Sequence, residues 1–198
     1  MALNTRIAAL ALVGVAATSV SGCGYNTIPT QEEAAKAAWA EVQTQYQRRS
    51  DLVPNLVATV KGAAEQEKSV LTAVTEARAS ATQPKFDAST ITDPAKFQEF
   101  QAAQGQLSAA LGRLMSIQEN YPELRSLEGF TALQSQLEGT ENRIAIARRD
   151  YNAAVQTYNT TLRTFPSVVW AKTAFSSSQP MQLFQATAGS EKPPEVKF

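Results

Sequence analysis

Apolar residues recur every three to four positions along three stretches of this chain, which is the spacing of one face of an α-helix. The stretches cover about 30–81, 93–120 and 126–165. Their faces are formed, in order, by Trp39, Val42, Tyr46, Val53, Leu56, Val60, Ala64, Leu71 and Val74; by Phe97, Phe100, Gln104, Leu107, Leu111, Leu114 and Ile117; and by Phe130, Leu133, Leu137, Ile144, Ala147, Tyr151, Ala154, Tyr158 and Leu162. No stretch alternates like a strand, so the pattern predicts an all-α protein.

The first stretch contains Pro54, which predicts a kink or a break in the helix at that point. A proline inside a helix removes one backbone hydrogen bond and clashes with the preceding turn. An unbroken first helix would be roughly 75 Å long, against roughly 40 and 57 Å for the other two. A break near Asp51 gives segments of roughly 33 and 45 Å, which match the others better. We therefore expect an antiparallel bundle of four helical segments, with a continuous, kinked first helix as the alternative.

Capping residues predict where helices begin. Thr30 and Glu33 form a capping box for the first stretch, and Asp93 followed by Pro94 supplies a cap and a first turn for the second. Residues 167–174 are long enough for one short helix. From residue 176 onward, serine, glycine and paired prolines predict a flexible tail.

The first 23 residues follow the three-part plan of a bacterial secretory signal: one basic residue, an apolar stretch of 14 residues, and small residues before a cysteine. The end of this leader, Val-Ser-Gly-Cys23, resembles a lipobox, in which a lipid is attached to the cysteine and the leader is cut off. Because a spanning helix needs roughly 20 apolar residues, we favour a cleaved lipoprotein signal over an uncleaved signal-anchor. The predicted organisation is a signal peptide (1–22), a tether (23–30), a helical bundle (31–166), and a short helix with a flexible tail (167–198).

The composition excludes several kinds of chemistry. The chain has no histidine and one cysteine, Cys23, so it lacks a histidine base, a second thiol and a Cys/His zinc site. Its 18 basic residues balance its 18 acidic residues, and no basic excess indicates nucleic-acid binding. We therefore expect no enzyme activity, cofactor, metal or small-molecule substrate. A hydrolase that uses carboxylates alone is the enzymatic alternative left open.

The densest polar cluster comprises Arg48, Arg49, Asp51 and Asn55, beside Pro54. One hypothesis is a partner-binding corner, because guanidinium groups bind planar acceptors with two hydrogen bonds. The other is structural: Asp51 caps a helix, and the arginines pair with acidic residues inside the bundle. Those acidic residues would be Glu138 or Glu141. We favour the structural role, most strongly for Arg49, because its spacing places it on the apolar face.

A second charged cluster lies on the third stretch and comprises Glu138, Glu141, Arg143, Arg148 and Arg149. Arg148 and Arg149 are candidate interaction residues. The favoured alternative is a set of pairs between neighbouring helical turns, each contributing about 0.2–0.5 kcal/mol.

Aromatic residues raise two further questions. Trp39, Tyr46, Tyr151 and Tyr158 have core spacing, which favours packing inside the bundle over lining a ligand groove. A later apolar group either folds back as a cap or forms an exposed patch for a partner or a membrane. That group is Phe165, Val168, Val169, Trp170 and Phe175.

Many short motifs occur in an order that resembles the LemA family, over about residues 24–166. They are Gly24-Tyr25-Asn26, Ala38-Trp39 to Val42, the segment 45–57 (QYQRRSDLVPNLV), Val60-Lys61-Gly62, the segment 74–78 (VTEAR), Tyr121-Pro122-Glu123-Leu124, the segment 137–145 (LEGTENRIA), Ala147-Arg148-Arg149, Tyr151-Asn152, Tyr158-Asn159 and Phe165-Pro166. The end of the chain, residues 194–198, is similar to the family's terminus.

The resemblance implies a helical bundle held at a bacterial membrane and facing outward, without an established enzymatic activity. Some family members are encoded beside membrane proteases, and one relative takes part in building magnetosome membranes. These features favour scaffolding of protein partners, including an envelope protease or another copy of the chain, with membrane remodelling by self-assembly as the alternative. Most members have a transmembrane helix where this chain has Cys23. A lipid there predicts the extracytoplasmic face of a membrane, the outer one if the cell has two.

Overall fold

Five α-helices and two 3₁₀ turns form most of the structure, a computed structural model that describes residues 24–185 apart from 65, 84–85, 122–123 and 125–126. The helices are α1 (Thr27–Ala63), α2 (Lys68–Ala81), α3 (Pro94–Ser116), α4 (Glu128–Thr161) and α5 (Ser167–Lys172), and the 3₁₀ turns are Ala88–Ile91 and Ile117–Glu119. The described residues contain no strand. The all-α prediction with four long helical segments is confirmed, as is the short helix after residue 166.

The four long helices pack as an antiparallel bundle in which the number of helices differs between the two ends. Helix α1 pairs along its length with α4, while the shorter α2 packs against α3 and the second half of α1. Beside the first half of α1, the place of α2 is taken by the segment around Ile91 and by the returning C-terminal segment. The bundle therefore has an upper half, which holds the starts of α1 and α3 and the end of α4, and a lower half built from all four helices.

Helix α1 continues through Pro54, so the break expected near Asp51 is wrong. The interruption comes after Ala63, twelve residues later than Asp51. Pro54 has no N–H to donate to the Ser50 carbonyl one turn back. Arg78 of α2 supplies the missing donor, with its Nε 3.0 Å from that carbonyl oxygen. A side chain from another helix thus donates the hydrogen bond that the Ser50 carbonyl lacks because of the proline.

The start of α1 also differs from the expectation. The helix begins at Thr27 after Asn26, so Thr30 and Glu33 lie inside it rather than forming a capping box. Ile28 is fully buried in the upper core, which makes the end of the supposed tether part of the fold. By contrast, Asp93 caps α3 as predicted, accepting hydrogen bonds from the amides of Ala95 and Lys96.

The apolar faces form two separate cores. The upper core is rich in aromatic rings and includes Trp39, Phe97, Phe100 and Tyr151. The lower core is mostly aliphatic, built around Leu56 and other side chains of α1 to α4. Between them lies a layer of buried polar groups, made by Gln45, Arg49, Ser50, Gln104 and Thr140.

The C-terminal segment that was expected to be a flexible tail from residue 176 instead packs on the bundle as far as Gln185. Met181 and Phe184 are buried in the upper core. We call residues 181–185 the strap. The rest of the predicted tail, 186–198, and the predicted leader with Cys23 lie outside the described residues.

Candidate functional site

Arg49 lies at the centre of the polar layer and is 1% exposed. Its Nη1 donates to Ser108 Oγ at 2.6 Å and to Glu141 Oε1 at 2.9 Å. Its Nη2 donates to the side-chain oxygen of Gln104 at 2.6 Å and to the backbone oxygen of the same residue at 3.2 Å. One guanidinium therefore connects α1 with α3 and α4. The predicted structural role of Arg49, pairing with Glu141 inside the bundle, matches this geometry.

The same polar layer also supplies a hydrogen-bond donor to the C-terminal end of α2. Gln104 donates from Nε2 to the carbonyl of Ala81, the last residue of α2, which has no partner within its own helix. Three buried atoms in the layer have no hydrogen-bond partner among the described residues: Arg49 Nε, Ser50 Oγ and Gln45 Oε1. Unpartnered buried polar atoms lower stability. We expect the paired side chains of the layer to fix the register between the helices in return.

A cleft of about 850 Å³ opens between α3 and α4, with Arg49 and Tyr46 at its floor. Small and polar side chains of α3 line one wall, while Glu141, Ile144 and Arg148 of α4 line the other; the α3 residues include Gln98, Gln101, Ala102, Gly105 and Ser108. Because the positive charge of Arg49 is already matched by Glu141, the cleft offers hydrogen bonds and apolar contact rather than an unpaired buried charge. This is the candidate functional site.

Arg148 shapes the upper end of the cleft. Its guanidinium carbon lies 4.5 Å from the centre of the Phe184 ring, within the range of a cation–π contact. Tyr46 lies nearby under Arg49 in a similar contact at 5.0 Å. Burial raises the pKa of the Tyr46 phenol, and the positive charges of Arg148 and Arg49 oppose that shift. The phenol is therefore neutral over the physiological pH range.

The other candidate residues lie outside the cleft. Arg48, Asp51 and Asn55 are exposed on α1. Asp51 accepts a hydrogen bond from Gln47 within the continuous helix, so it caps no helix and no corner is present there. Arg149 is exposed and pairs with its neighbour Asp150 at 2.8 Å. The structure thus separates the six candidates into two that line the cleft, Arg49 and Arg148, and four that do not.

Two asparagines that sequence reasoning did not single out hold the strap. Asn152 donates to the Phe184 carbonyl and accepts from its amide, both at 2.9 Å. Asn159 makes the same pair of bonds with Met181, again at 2.9 Å. The sequence feature that could have revealed them is the Tyr-Asn pair, which occurs twice on α4 with a spacing of seven residues. Tyr151 contributes as well, donating from its hydroxyl to the Gln182 carbonyl at 2.8 Å.

The four core-spaced aromatics are buried as predicted: Trp39, Tyr46, Tyr151 and Tyr158. The apolar residues between positions 165 and 175 were predicted either to cap the bundle or to form an exposed patch, and the structure shows some of each. Trp170 and Phe175 pack against the upper core, whereas Phe165 and Val169 are 76% and 48% exposed.

Within the described part of the chain, no group of three or more acidic or thiol side chains could hold a metal ion. A search of the helices in that same part finds none with the length and apolar character needed to cross a bilayer.

A sequence model of the LemA family matches residues 38–198. The chain is similar to magnetosome protein MamQ 2 of Paramagnetospirillum magneticum strain AMB-1, with 30% identity over 167 residues, 76% of this chain and 60% of the relative. It is also similar to magnetosome protein MamQ of Magnetospirillum gryphiswaldense strain MSR-1, with 28% identity over 180 residues, 83% of this chain and 65% of the relative. It therefore spans less than two thirds of the length of either relative. Because the family match covers most of α1 and all of the later helices, this chain belongs to the LemA family.

Proposed function

We propose that this protein is a helical-bundle module, tethered to a bacterial envelope membrane, that binds protein partners and has no catalytic role. The cleft between α3 and α4 is the observation that carries the proposal. It is large enough for side chains of a partner, and it offers glutamine amides beside apolar surface. Its buried arginine is engaged by Glu141, Ser108 and Gln104, which suits a group that fixes the shape of a surface.

Two lines support the membrane part of the proposal. The leader ends in a lipobox-like sequence at Cys23. The relatives are named as magnetosome proteins, and the LemA resemblance implies a bundle at a membrane. A cysteine that carries three acyl chains gives stable anchoring, because each buried CH₂ contributes about 0.8 kcal/mol.

In-cell photo-crosslinking tests the proposal. A photoreactive amino acid replaces Gln101, which lines the cleft, or Gln106, which lies on the same helix outside it. We expect discrete protein adducts from position 101 and fewer from position 106. Equal adduct patterns would contradict the assignment of the cleft as the binding surface.

The tether is tested in the same cells with Cys23→Ala, and Ser19→Ala in the same leader is the control. We expect the Cys23→Ala protein to lose lipid labelling, leave the membrane fraction and lose the position-101 adducts, while Ser19→Ala keeps all three. A Cys23→Ala protein that keeps its lipid label and stays in the membrane fraction would overturn the lipoprotein assignment.

The second candidate function is self-assembly that remodels a membrane. The exposed Phe165 and Val169, four residues apart in the chain, favour it, because large exposed apolar side chains can mark an interaction site. Adducts of twice the chain's mass in the crosslinking experiment, together with deformation of liposomes by the purified protein, would favour this function over binding of other proteins.

A further inference from the structure

Three apolar side chains project from the upper end of the bundle. Phe165 is 76% exposed, Val169 is 48% exposed and Tyr25 is 45% exposed. They come from two separate parts of the chain: Tyr25 precedes α1, Phe165 lies between α4 and α5, and Val169 lies in α5. We call these three residues the apolar end.

Contacts fix the two parts against each other. Gly24 has a φ of +112°, and a Cβ placed on it would lie 2.9 Å from Ser167 Oγ, so the backbone passes directly over the start of α5. The ring of Tyr25 lies 5.4 Å from that of Trp170 and 5.1 Å from that of Phe175, centre to centre. The residue that follows Cys23 is therefore held at the apolar end. Both interpretations of the leader, lipid anchor and spanning anchor, bring a bilayer to this end of the bundle.

Near the apolar end, positive charges outnumber negative charges by one, with Arg163, Lys172 and Lys36 against Glu32 and Glu33. No acidic residue occurs between Asp150 and Gln185, a segment in which Arg163 and Lys172 are both exposed. The first acidic residues of α1, at positions 32 and 33, are both paired with Lys36, at 2.9 and 2.8 Å. Basic side chains beside exposed aromatic and aliphatic groups match the anionic headgroups and the acyl boundary of a bilayer surface.

We propose that the apolar end is seated in the interfacial region of the membrane, so that the bundle stands upright on the bilayer beside its anchor. This proposal rests on the membrane tether of the proposed function and adds an orientation to it. Helix α1, with 37 residues, is about 56 Å long. The lower core and the far ends of α1 and α3 are then held away from the lipid, and the cleft opens sideways, within reach of neighbouring envelope proteins.

Quenching of tryptophan emission by lipid tests the seating. Full-length protein is reconstituted through its own anchor into vesicles of phosphatidylcholine and phosphatidylglycerol, with or without bromine on the acyl chains near the headgroup. One variant is Phe165→Trp, and the matched control is Ile146→Trp, a 50% exposed apolar position on α4. Ile146 lies 15 residues before the end of α4 at Thr161, about 22 Å along the helix, and Phe165 follows that end. Trp39 and Trp170 are common to both variants, so the difference between the variants reports the introduced residue.

We expect bromine to reduce the emission of the Phe165→Trp protein well beyond that of the Ile146→Trp protein. If the two variants float with the vesicles and bromine reduces their emission equally, the seating is overturned and the tether is not. Protein that does not float with the vesicles would overturn the tether, and the seating with it. Circular dichroism of both variants is the control for loss of the helical fold.

Discussion

Pro54 leaves the Ser50 carbonyl without the amide that would normally donate to it, and Arg78 donates to it instead at 3.0 Å. Ser50 is 1% exposed, so water cannot easily replace this donor. An unpaired buried carbonyl costs about 1–3 kcal/mol. Pro54 and Arg78 are therefore structurally coupled, although they lie in different helices.

The pair predicts non-additive stability changes. Arg78→Ala is expected to lower the free energy of unfolding by about 1–3 kcal/mol, because the Ser50 carbonyl loses its partner. In a Pro54→Ala background, the new amide at position 54 can donate to that carbonyl, so Arg78→Ala costs at least about 1 kcal/mol less. Urea unfolding followed by circular dichroism at 222 nm measures all four variants.

The exposed Arg143 provides the control for this cycle. Arg143→Ala is expected to change stability by no more than about 0.5 kcal/mol in either background. Additive effects of Pro54→Ala and Arg78→Ala would show that the carbonyl does not depend on the arginine.

At the level of elements, the strap is held on α4 by backbone groups rather than by its side chains alone. Asn152 and Asn159 each bond one amide and one carbonyl of the strap, as a neighbouring β-strand would do. Phe184 and Met181 add buried apolar contact with the upper core. The strap is therefore part of the bundle, and it also forms the upper rim of the cleft.

Replacing both asparagines by alanine is expected to release the strap. Each substitution removes two hydrogen bonds with a net value of about 0.5–1.5 kcal/mol apiece. We expect chymotrypsin to cleave the double variant faster than the parent protein at Leu183 and Phe184. Asn142→Ala, at an exposed position of the same helix, is the control and keeps the parent rate. An unchanged rate in the double variant would mean that apolar contact alone holds the strap.

The sequence predicted the helix faces well because burial follows spacing that is local in the chain. Every residue predicted for the faces of α1 to α3 is buried, including Arg49 at its polar position and Gln104. The break was misplaced because the compensation for Pro54 comes from Arg78, 24 residues later, and no local rule contains it. The strap was missed because asparagines recognise its backbone, which leaves little trace in side-chain composition. Thr140 was missed because a buried hydroxyl that bonds the Gln136 carbonyl leaves no apolar signal.

At the scale of the whole molecule, the two cores differ in chemistry as well as position. The upper core contains Tyr46, Tyr151 and Tyr158, and burial raises the pKa of each phenol. The buried side chains of the lower core are mostly aliphatic, and among the described residues its one tyrosine, Tyr121, packs only at its edge. High pH is therefore expected to act first on the upper core, where the strap and the start of α1 are packed.

Alkaline unfolding tests this difference. In the unfolded chain a tyrosine ionises near pH 10, whereas the buried phenols stay neutral to higher pH. Their contribution to stability is thus complete below about pH 10 and is lost as pH rises toward the folded-state pKa. Tyr151, whose pKa burial raises strongly, steepens the loss by about 1.4 kcal/mol per pH unit wherever its phenol is ionised in the unfolded chain and neutral in the folded one.

Urea midpoints between pH 9 and pH 11.5 measure the slope, and Tyr151→Phe is expected to reduce it by the contribution of one tyrosine. Lysine and arginine titration is common to both proteins and cancels in the comparison. Identical slopes would contradict a neutral, buried Tyr151.

The spacing of the two strap asparagines has a geometric consequence. Seven residues of α4 rise about 10.5 Å, and three residues of extended chain cover about 10 Å. The distance between the two asparagines on α4 thus matches the distance between Phe184 and Met181 on the strap, so both asparagines reach their partners at once. Inserting or deleting one residue in either interval would prevent the two sets of bonds from forming at the same time, whereas many replacements within the intervals would not. Length, more than composition, is therefore the constrained property of this part of the chain.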